Sequence, residues 1–264
     1  MLELKIGYIQ TSPVFGDKEK NFSEVEEVSE NVNADLLVLP ELFATGYTFI
    51  SKEEAQEMAE PLNGKTSKFL QQIAEKTSSI IIGGFIEKDG NKLYNSSLMV
   101  SQDKVFGSYR KIHLYNKEKL WFSPGNRPFQ IYETNKMKIG MMICFDWLFP
   151  ESIRSLALLG ADVIAHSANL VLPYCQNAMK VRCLENRVFA VTANRIGREQ
   201  RGEDDFTFTG ESQITDYKGE VLSAAPKNEV HVDVAEINPH EARSKDLNDY
   251  NNLVDDRKPD LYEL

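Results

Sequence analysis

The feature that most constrains the fold is a series of short apolar runs of strand length. The clearest run, ADLLVLPEL at residues 34–42, has apolar residues at consecutive positions rather than at alternate ones. Runs of this kind are typical of strands that are buried on both faces. Early in the chain they are separated by stretches with helical spacing, such as residues 18–33 with Phe22 and Val25. The pattern predicts a layered α/β protein in which helices cover buried sheets.

Turn and capping signals divide the rest of the chain. Thr66 is a suitable N-cap for a second helix, and Asp89-Gly90-Asn91 is a hairpin turn signal. Pro150 and Gly160 fit the first turn and the end of a further helix. The inner face of the second helix is predicted to carry Phe69, Leu70, Ile73 and Ala74. Further strands are predicted at residues 4–12, 79–87, 92–101, 105–114, 129–134, 136–144, 161–170, 187–197, 211–216, 219–225 and 229–237. The remaining helices are predicted at residues 176–186 and after Asn238, where a surface helix would lead into an extended tail.

The composition limits the possible partners and the location. The formal net charge is −10 and no block of Lys and Arg stands out, which argues against nucleic acid and anionic membranes as partners. The three cysteines, Cys144, Cys175 and Cys183, form no C-x-x-C pair, so a disulfide framework or a zinc finger is not expected. No secretion signal and no membrane span is recognisable. We therefore expect a cytoplasmic protein with reduced thiols.

Three reactive side chains occupy strand positions where an aliphatic residue would be expected. Glu41 and Cys144 end apolar runs, and Lys111 lies inside a predicted strand, with His113 on the same face by alternation. An unpaired charge in such a place is costly. A glutamate and a lysine that neutralise each other near a thiol would remove that cost.

The same three groups suit nucleophilic catalysis. A thiol attacks as the thiolate, a carboxylate can take its proton, and an ammonium stabilises both the thiolate and an oxyanion. Taken singly, each has a simpler interpretation: Cys144 as a small buried hydrophobe, Lys111 as a surface strand residue and Glu41 as a loop-start acid. A pairing of Cys144 with His166 is also open at this point.

Three segments in order carry a resemblance to a known family. PELFATGY, YRKIHL and CFDWLFPE resemble the three signature segments of the nitrilase superfamily of carbon–nitrogen hydrolases. The resemblance covers nearly the whole chain. It includes IGYIQTSPVFGD, the E-x-x-x-F-x-P-G stretch from Glu118 to Gly125, and GADVIAHSANL followed by RCLENRVFAVTANRIG.

The resemblance implies a fold, a catalytic triad and an assembly. The fold would be an α/β protein of the αββα sandwich type, with residues 1–264 as a single carbon–nitrogen hydrolase domain and a tail from about residue 245. Glu41 would be the general base, Lys111 the oxyanion stabiliser and Cys144 the nucleophile, with Glu118 orienting the substrate or the lysine. No metal or organic cofactor would be needed. Family members usually dimerise, here through helices at about 150–160 and 176–188, so a homodimer or a higher homo-oligomer is expected.

The residues after the cysteine bear on the substrate. Phe145 to Glu151 resemble the amidase and carbamoylase branches, whereas true nitrilases tend to carry Trp-Glu directly after the cysteine. The stretch has Trp147 and Leu148 where branches that bind a substrate carboxylate often place an arginine, so a neutral or apolar acyl group is expected. Asn169 is interpreted as a substrate contact, although it could instead form a turn. The candidate pocket walls are Phe43, Tyr47, Trp121, Phe145 and Trp147, each of which could instead be a core residue.

Several functions remain open at this stage. The first is an amidase that converts a small neutral amide to an acid and ammonia through a thioester at Cys144. The second is a nitrilase with the same active site. A carbamoyl-amine hydrolase and a non-catalytic scaffold are further alternatives, although the presence of all three expected catalytic residue types argues against the scaffold.

Overall fold

The computed structural model describes residues 3–262, which form two six-stranded sheets and the helices that cover them. The strands are β1 (Leu4–Gln10), β2 (Leu36–Val38), β3 (Ile80–Asp89), β4 (Lys92–Ser101), β5 (Lys104–Arg110), β6 (Ile131–Glu133), β7 (Lys138–Ile143), β8 (Val163–Ser167), β9 (Phe189–Ala193), β10 (Arg198–Arg201), β11 (Asp204–Thr207), β12 (Gln213–Thr215), β13 (Val221–Ala224), β14 (His231–Ile237), β15 (Asp246–Asn248) and β16 (Asn251–Asn252). The helices are α1 (Lys18–Ser29), α2 (Lys52–Met58), α3 (Lys65–Thr77), α4 (Glu118–Trp121), α5 (Pro150–Leu158), α6 (Cys175–Asn186) and α7 (His240–Arg243), with 3-10 turns at Cys144–Leu148 and Pro259–Leu261.

The two sheets have the same plan. The first sheet has the order β14-β1-β2-β3-β4-β5, and the second has the order β13-β12-β9-β8-β7-β6. In each sheet three central strands run parallel and the outer strands are antiparallel. One buried cluster joins the facing sides of the two sheets, and the hydroxyls of Ser97 and Ser167 meet across it at 3.2 Å. The αββα sandwich predicted from the sequence is confirmed.

The consecutive apolar residues of β2 show why the sheets are buried on both faces. Leu36 and Val38 belong to the cluster between the sheets, whereas Leu37 belongs to the cluster beneath α1 and α3. Successive strand side chains point to opposite faces, so a strand between a sheet and a helix layer has no solvent-facing position. In the helix layer, Phe22 of α1 stacks on Phe69 of α3 with ring centroids 4.0 Å apart.

The helix α3 confirms its predicted inner face but not its predicted cap. Phe69, Leu70, Ile73 and Ala74 are all buried, as expected. The helix begins at Lys65 and its N-cap is Gly64 rather than Thr66. The carboxylate of Glu60 accepts hydrogen bonds from both the N–H and the hydroxyl of Thr66, which gives this side chain a partner outside the helix.

Several boundaries differ from the sequence prediction. The helix α1 ends at Ser29 instead of 33, β2 ends at Val38, and β5 ends at Arg110, so Lys111 lies one residue beyond its strand. Cys144 likewise follows β7 and begins a 3-10 turn. A hydrophobic pattern follows burial, and burial continues past the last ladder hydrogen bond at each of these strand ends.

Other elements were missed or differ in kind. The short helix α2 and the hairpin β10–β11 had no prediction. After Asn238 the predicted surface helix is only four residues long, and the region predicted as an extended tail begins with the hairpin β15–β16 and contains the 3-10 turn at Pro259–Leu261. The end of that tail, residues 263–264, lies outside the described residues. No helix within residues 3–262 is long and apolar enough to cross a membrane.

Candidate active site

Glu41 is placed by a tight turn that follows β2. Leu42 has a φ of 48°, and the N–H of Gly84 on β3 donates to the carbonyl of Pro40 at 3.1 Å. A Cβ at position 84 would lie 2.4 Å from the nitrogen of Leu42, so only glycine lets the turn approach β3. The close approach buries the Glu41 side chain completely.

Lys111 is held by hydrogen bonds at both of its backbone polar groups. Its N–H donates to the carbonyl of Asn95 at 2.8 Å, and its carbonyl accepts from the N–H of Gly125 at 2.8 Å. Its fully buried Nζ donates to Glu41 Oε1 at 2.6 Å and to Glu118 Oε1 at 2.8 Å. The predicted neutralisation of Glu41 by Lys111 is therefore present, with Glu118 as a second partner.

His113 does not share the role of Lys111. Because β5 ends at Arg110, strand alternation does not extend to His113, and its Nδ1 lies 2.7 Å from Asp146 Oδ1. Its ring stacks on Phe149 with centroids 3.7 Å apart. The prediction that placed His113 on the Lys111 face of a strand is wrong in this respect.

Cys144 has a strained backbone conformation at the start of a turn that Asp146 anchors. Its φ is 41°, a region that residues other than glycine seldom adopt. Asp146, which is fully buried, accepts from the N–H of Ile143 at 2.8 Å and from the hydroxyl of Tyr109 at 2.7 Å. These bonds anchor the 3-10 turn at its first residues, where the thiol is presented.

His166 supports the cysteine through its backbone and not through its thiol. Its Nε2 lies 3.0 Å from the carbonyl oxygen of Cys144, and its Nδ1 lies 3.2 Å from the hydroxyl of Thr192. Burial lowers the pKa of His166 to about 4, so the ring is neutral at neutral pH and donates from Nε2. A Cys144–His166 catalytic pair is therefore wrong.

Burial and charge set the protonation of the reactive groups. Burial raises the pKa of Glu41 to about 7, although the charge of Lys111 opposes this. Burial and then the charge of Glu41 raise the pKa of the Cys144 thiol well above its usual range. Burial lowers the pKa of Lys111, but the carboxylates of Glu118 and Glu41 outweigh it and the net pKa is raised. The site therefore holds a thiol, an ammonium and a carboxylate that accepts a proton near neutral pH.

The two carboxylates that contact Lys111 differ in how many of their oxygens already accept hydrogen bonds. Glu118 Oε1 accepts from Lys111 and from the hydroxyl of Tyr47 at 2.7 Å, and its Oε2 accepts from the N–H of Tyr115 at 3.1 Å. Glu41 Oε1 accepts from Lys111 and from Asn95, whereas its buried Oε2 has no hydrogen-bond partner among residues 3–262. Of these two carboxylates, Glu41 is therefore the one with an oxygen that no described residue occupies.

A small pocket of about 250 Å³, partly open to solvent, lies beside the thiol. Its walls are Tyr115, Cys144, Phe145, Trp147, Asn169, Leu170, Val171 and Leu172. Asn169 is buried, and neither polar atom of its side chain has a partner within residues 3–262. The Sγ of Cys144 lies 3.7 Å from the carbonyl oxygen of this same residue.

The predicted pocket walls divide into three groups. Phe145, Trp147 and Asn169 line the pocket of Cys144. Tyr47 and Trp121 line a neighbouring depression that also includes Glu118. Phe43 lies away from both, in the cluster beneath α1 and α3, because its ring covers Gly83, where a Cβ would lie 3.0 Å from the ring.

Two polar residues of the site, Asn95 and Asp146, were not predicted from the sequence. Asn95 donates to Glu41, and Asp146 anchors the turn of Cys144. The signal for the first is the polar triplet Asn95–Ser97 within a strand whose residues from Leu93 to Val100 are all buried. The signal for the second is an acid two residues after the cysteine in an otherwise apolar stretch.

Comparisons with known proteins show the family of the chain and the similarity of its fold. A family model described as carbon-nitrogen hydrolase matches residues 5–245. The chain is 47% identical to a nitrilase of Pyrococcus abyssi, covering 98% of this chain and 99% of the relative. It is 34% identical to an (R)-stereoselective amidase of a Pseudomonas species, covering 96% and 92%. A carbon–nitrogen hydrolase from Helicobacter pylori has a similar fold, with a TM-score of 0.84 over 91% of each chain and 23% identity.

Proposed function

Because the chain belongs to the carbon–nitrogen hydrolase family, we propose that it hydrolyses a small neutral amide to a carboxylic acid and ammonia. The observation that carries the proposal is the buried Lys111, which bridges Glu41 and Glu118 at 2.6 and 2.8 Å beside the pocket of Cys144. The enzyme is thus a carbon–nitrogen hydrolase, and the choice of an amide and the thiol mechanism are our proposal.

The first half of the reaction forms a thioester. Oε2 of Glu41 takes the proton of the Cys144 thiol as the sulfur attacks the amide carbonyl. An ammonium has three N–H donors, and two of those on Lys111 bond the carboxylates, which leaves one for the developing oxyanion. The N–H of Phe145 is the second donor in this proposal. Glu41 then gives its proton to the nitrogen, the C–N bond breaks, and ammonia leaves.

The second half releases the acid. Glu41 accepts a proton from water as the water oxygen attacks the thioester carbonyl. The resulting oxyanion is stabilised by the same donors on Lys111 and Phe145. When it collapses, the C–S bond breaks, and the thiolate takes the proton back from Glu41, so that the carboxylic acid leaves and the resting state returns.

The pocket composition supports a neutral acyl group. Among the described residues, the pocket of Cys144 is lined by aromatic and aliphatic side chains and by Asn169, without a cationic side chain. A carboxylate on the acyl group would have no charged partner among the lining residues of this pocket and would lose its hydration without compensation. This lining favours small neutral amides over carboxylate-bearing substrates.

A nitrile is the second candidate substrate. The observation that favours it is the 47% identity to a protein called a nitrilase. A nitrile would react at the same sulfur to give a thioimidate, which water converts to an acid with release of ammonia.

We also propose that residues 1–264 form one catalytic domain that pairs with a second copy through α5 and α6. These helices, with the residue that follows α5, expose Leu158, Leu159, Val181 and Leu184, each more than two-fifths accessible. Apolar side chains exposed together on neighbouring helices are typical of an interface. Light scattering after size-exclusion chromatography would give twice the monomer mass of 30.0 kDa, or a higher multiple.

The test of the function is ammonia release from a panel of small amides, carbamoyl amines and nitriles. Wild type is compared with Cys144→Ala and with Cys175→Ala, a matched control that removes a buried thiol outside the site. We expect release by wild type and by Cys175→Ala, with the fastest rate on a neutral amide, and loss of at least about 10⁴-fold in Cys144→Ala. Release that survives in Cys144→Ala would contradict the thiol mechanism, and a faster rate on nitriles would favour the second candidate.

A further inference from the structure

Asn95 connects the segments that carry Glu41 and Lys111. It lies fully buried in β4, on the face of the first sheet that meets the second. Its backbone carbonyl accepts the N–H of Lys111 at 2.8 Å, and its side-chain Nδ2 donates to Glu41 Oε1 at 2.6 Å. A carboxylate only accepts hydrogen bonds, so the amide nitrogen and not the amide oxygen must face Glu41.

The contact with Asn95 makes the two oxygens of Glu41 unequal. Oε1 accepts two N–H donors, from Lys111 and from Asn95. Oε2 has no partner within residues 3–262. A proton added to Oε1 would disrupt a charge-assisted hydrogen bond, whereas a proton added to Oε2 disrupts none. The arrangement therefore favours Oε2 as the protonated oxygen.

Lys111 alone could not fix this arrangement. Its Nζ is shared with Glu118, and an ammonium on a flexible stem is free to rotate among its acceptors. The Asn95 amide is planar, and its strand is buried at every position from Leu93 to Val100. Two donors from different directions, one of them rigid, hold the carboxylate in a single rotation about its last bond.

We propose that Asn95 is a positioning residue for proton transfer, which holds Glu41 Oε1 so that the proton of Cys144 passes to Oε2. The inference rests on the proposed role of Glu41 as the base. Asn95 touches neither the thiol nor the pocket beside it, and acts through Glu41.

The position of the hydrogen bond predicts a change in the pH profile. The amide donor stabilises the charged form of Glu41, and so lowers its pKa against the larger effect of burial. Loss of the donor would raise the pKa of Glu41 further above about 7. The pH at which Cys144 becomes reactive would then rise, because Glu41 must be ionised to accept the thiol proton.

The experiment measures alkylation of Cys144 by iodoacetamide as a function of pH, with peptide mapping to identify the modified cysteine. In this reaction the sulfur forms a bond to carbon and iodide leaves, so no substrate has to be known. Wild type is compared with Asn95→Ala and with Asn95→Leu, which keeps the branched outline of the side chain. The matched control is Ser97→Ala, on the same face of the same strand but bonded to Ser167 instead of the triad.

We expect the midpoint of alkylation to rise by about one pH unit in both Asn95 variants and to stay unchanged in Ser97→Ala. On the best amide of the panel, kcat would fall about 100-fold, with KM changed less than threefold. Thermal unfolding of each variant is measured as a control, to establish that it is folded. A midpoint that does not move in either Asn95 variant, or that moves equally in Ser97→Ala, would overturn the inference.

The outcome is separable from that of the proposed function. A wild-type enzyme that releases no ammonia from any amide, but shows the shifted midpoints, would retain the role of Asn95 and remove the amide proposal. An active wild type with unshifted Asn95 variants would retain the amide proposal and remove the role of Asn95.

Discussion

Two carboxylates, Glu41 and Glu87, are buried against the first sheet, and they differ in the number of hydrogen-bond donors around them. Glu41 meets Lys111 and Asn95 on the side of the second sheet, whereas Glu87 of β3 meets Ser96 and Arg110, the neighbours of those residues in sequence. Successive residues of an extended chain point to opposite faces, so Asn95-Ser96 of β4 and Arg110-Lys111 at the end of β5 serve both sites.

The number of donors separates the two sites. Glu87 Oε2 accepts from the hydroxyls of Ser96 and Ser108 at 2.7 and 2.8 Å, and Oε1 accepts from Arg110. Burial raises the pKa of Glu87, but Arg110 and the two serines outweigh it and the net pKa is lowered. Glu41 keeps one oxygen without a partner among the described residues, and its pKa is raised. A fully bonded carboxylate stabilises the fold, while an incompletely bonded one retains the capacity to bind a proton.

The largest expected effect is on activity, from Glu41→Gln. The amide keeps the size of the side chain but cannot accept a proton, so kcat/KM for ammonia release should fall at least about 10³-fold. At pH 4.5, where Glu41 is protonated in the folded protein, the free energy of unfolding should change by less than about 1 kcal/mol, because Lys111 keeps Glu118 as its ionic partner. Steady-state kinetics and urea unfolding measure the two quantities. A loss of activity below tenfold would remove Glu41 as the base.

Glu87→Gln is expected to lower the stability of the protein and to leave its activity almost unchanged. Among the described residues, it leaves the buried guanidinium of Arg110 with the exposed Asp89 as its remaining ionic partner, so the free energy of unfolding should fall by about 3 kcal/mol. Because its contacts lie on the face away from Cys144, kcat/KM should stay within about threefold of wild type. Urea unfolding and steady-state kinetics on the same preparations test this. A large loss of activity at unchanged stability would contradict the assignment of Glu87 to stability and of Glu41 to catalysis.

The smallest effect is a difference in how stability depends on pH. The folded-state pKa of Glu41 lies above its ordinary value of 4.5, so wild type loses stability relative to Glu41→Gln as the pH rises from about 4.5 to about 7. The folded-state pKa of Glu87 lies below its ordinary value of 4.5, so its contribution is present above that value and is lost as the pH falls below it.

Urea unfolding at a series of pH values measures both dependences, with Glu30→Gln as an exposed control. The difference between Glu41→Gln and wild type should grow toward neutral pH, and the difference between wild type and Glu87→Gln should shrink toward acid pH. Equal pH dependence in the two variants would show that the two carboxylates are not distinguished by their surroundings.

The sequence predicts the layers and the reactive groups because both depend on local signals. Consecutive apolar residues in β2 require burial on both faces, and a lysine or glutamate at the end of such a run requires a partner. Lys111 meets Glu41 as that argument requires. The family resemblance adds Glu118, which lies beyond the reach of strand periodicity.

The missed features depend on contacts that are distant in sequence or on backbone geometry. Asn95 contacts Glu41 across 54 positions, and nothing in its own strand indicates that partner. Phe43 follows the same turn as Glu41 but packs beneath the helices. The hairpin β10–β11 has no alternation of apolar and polar residues, since REQR and DDFT are mostly polar on both faces. Hydrophobic periodicity therefore gives no signal for it.

The left-handed backbone at Cys144 also bears on which other side chain could act as a nucleophile at this position. At a φ of 41° a β-branched side chain is strongly disfavoured, so threonine would strain the turn although its hydroxyl is a nucleophile in other enzymes. Serine lacks the branch and is compatible with such a turn, as the strained serine of other hydrolases shows. Of the two hydroxyl residues with an aliphatic side chain, the backbone at this position therefore favours serine over threonine as a replacement for the cysteine.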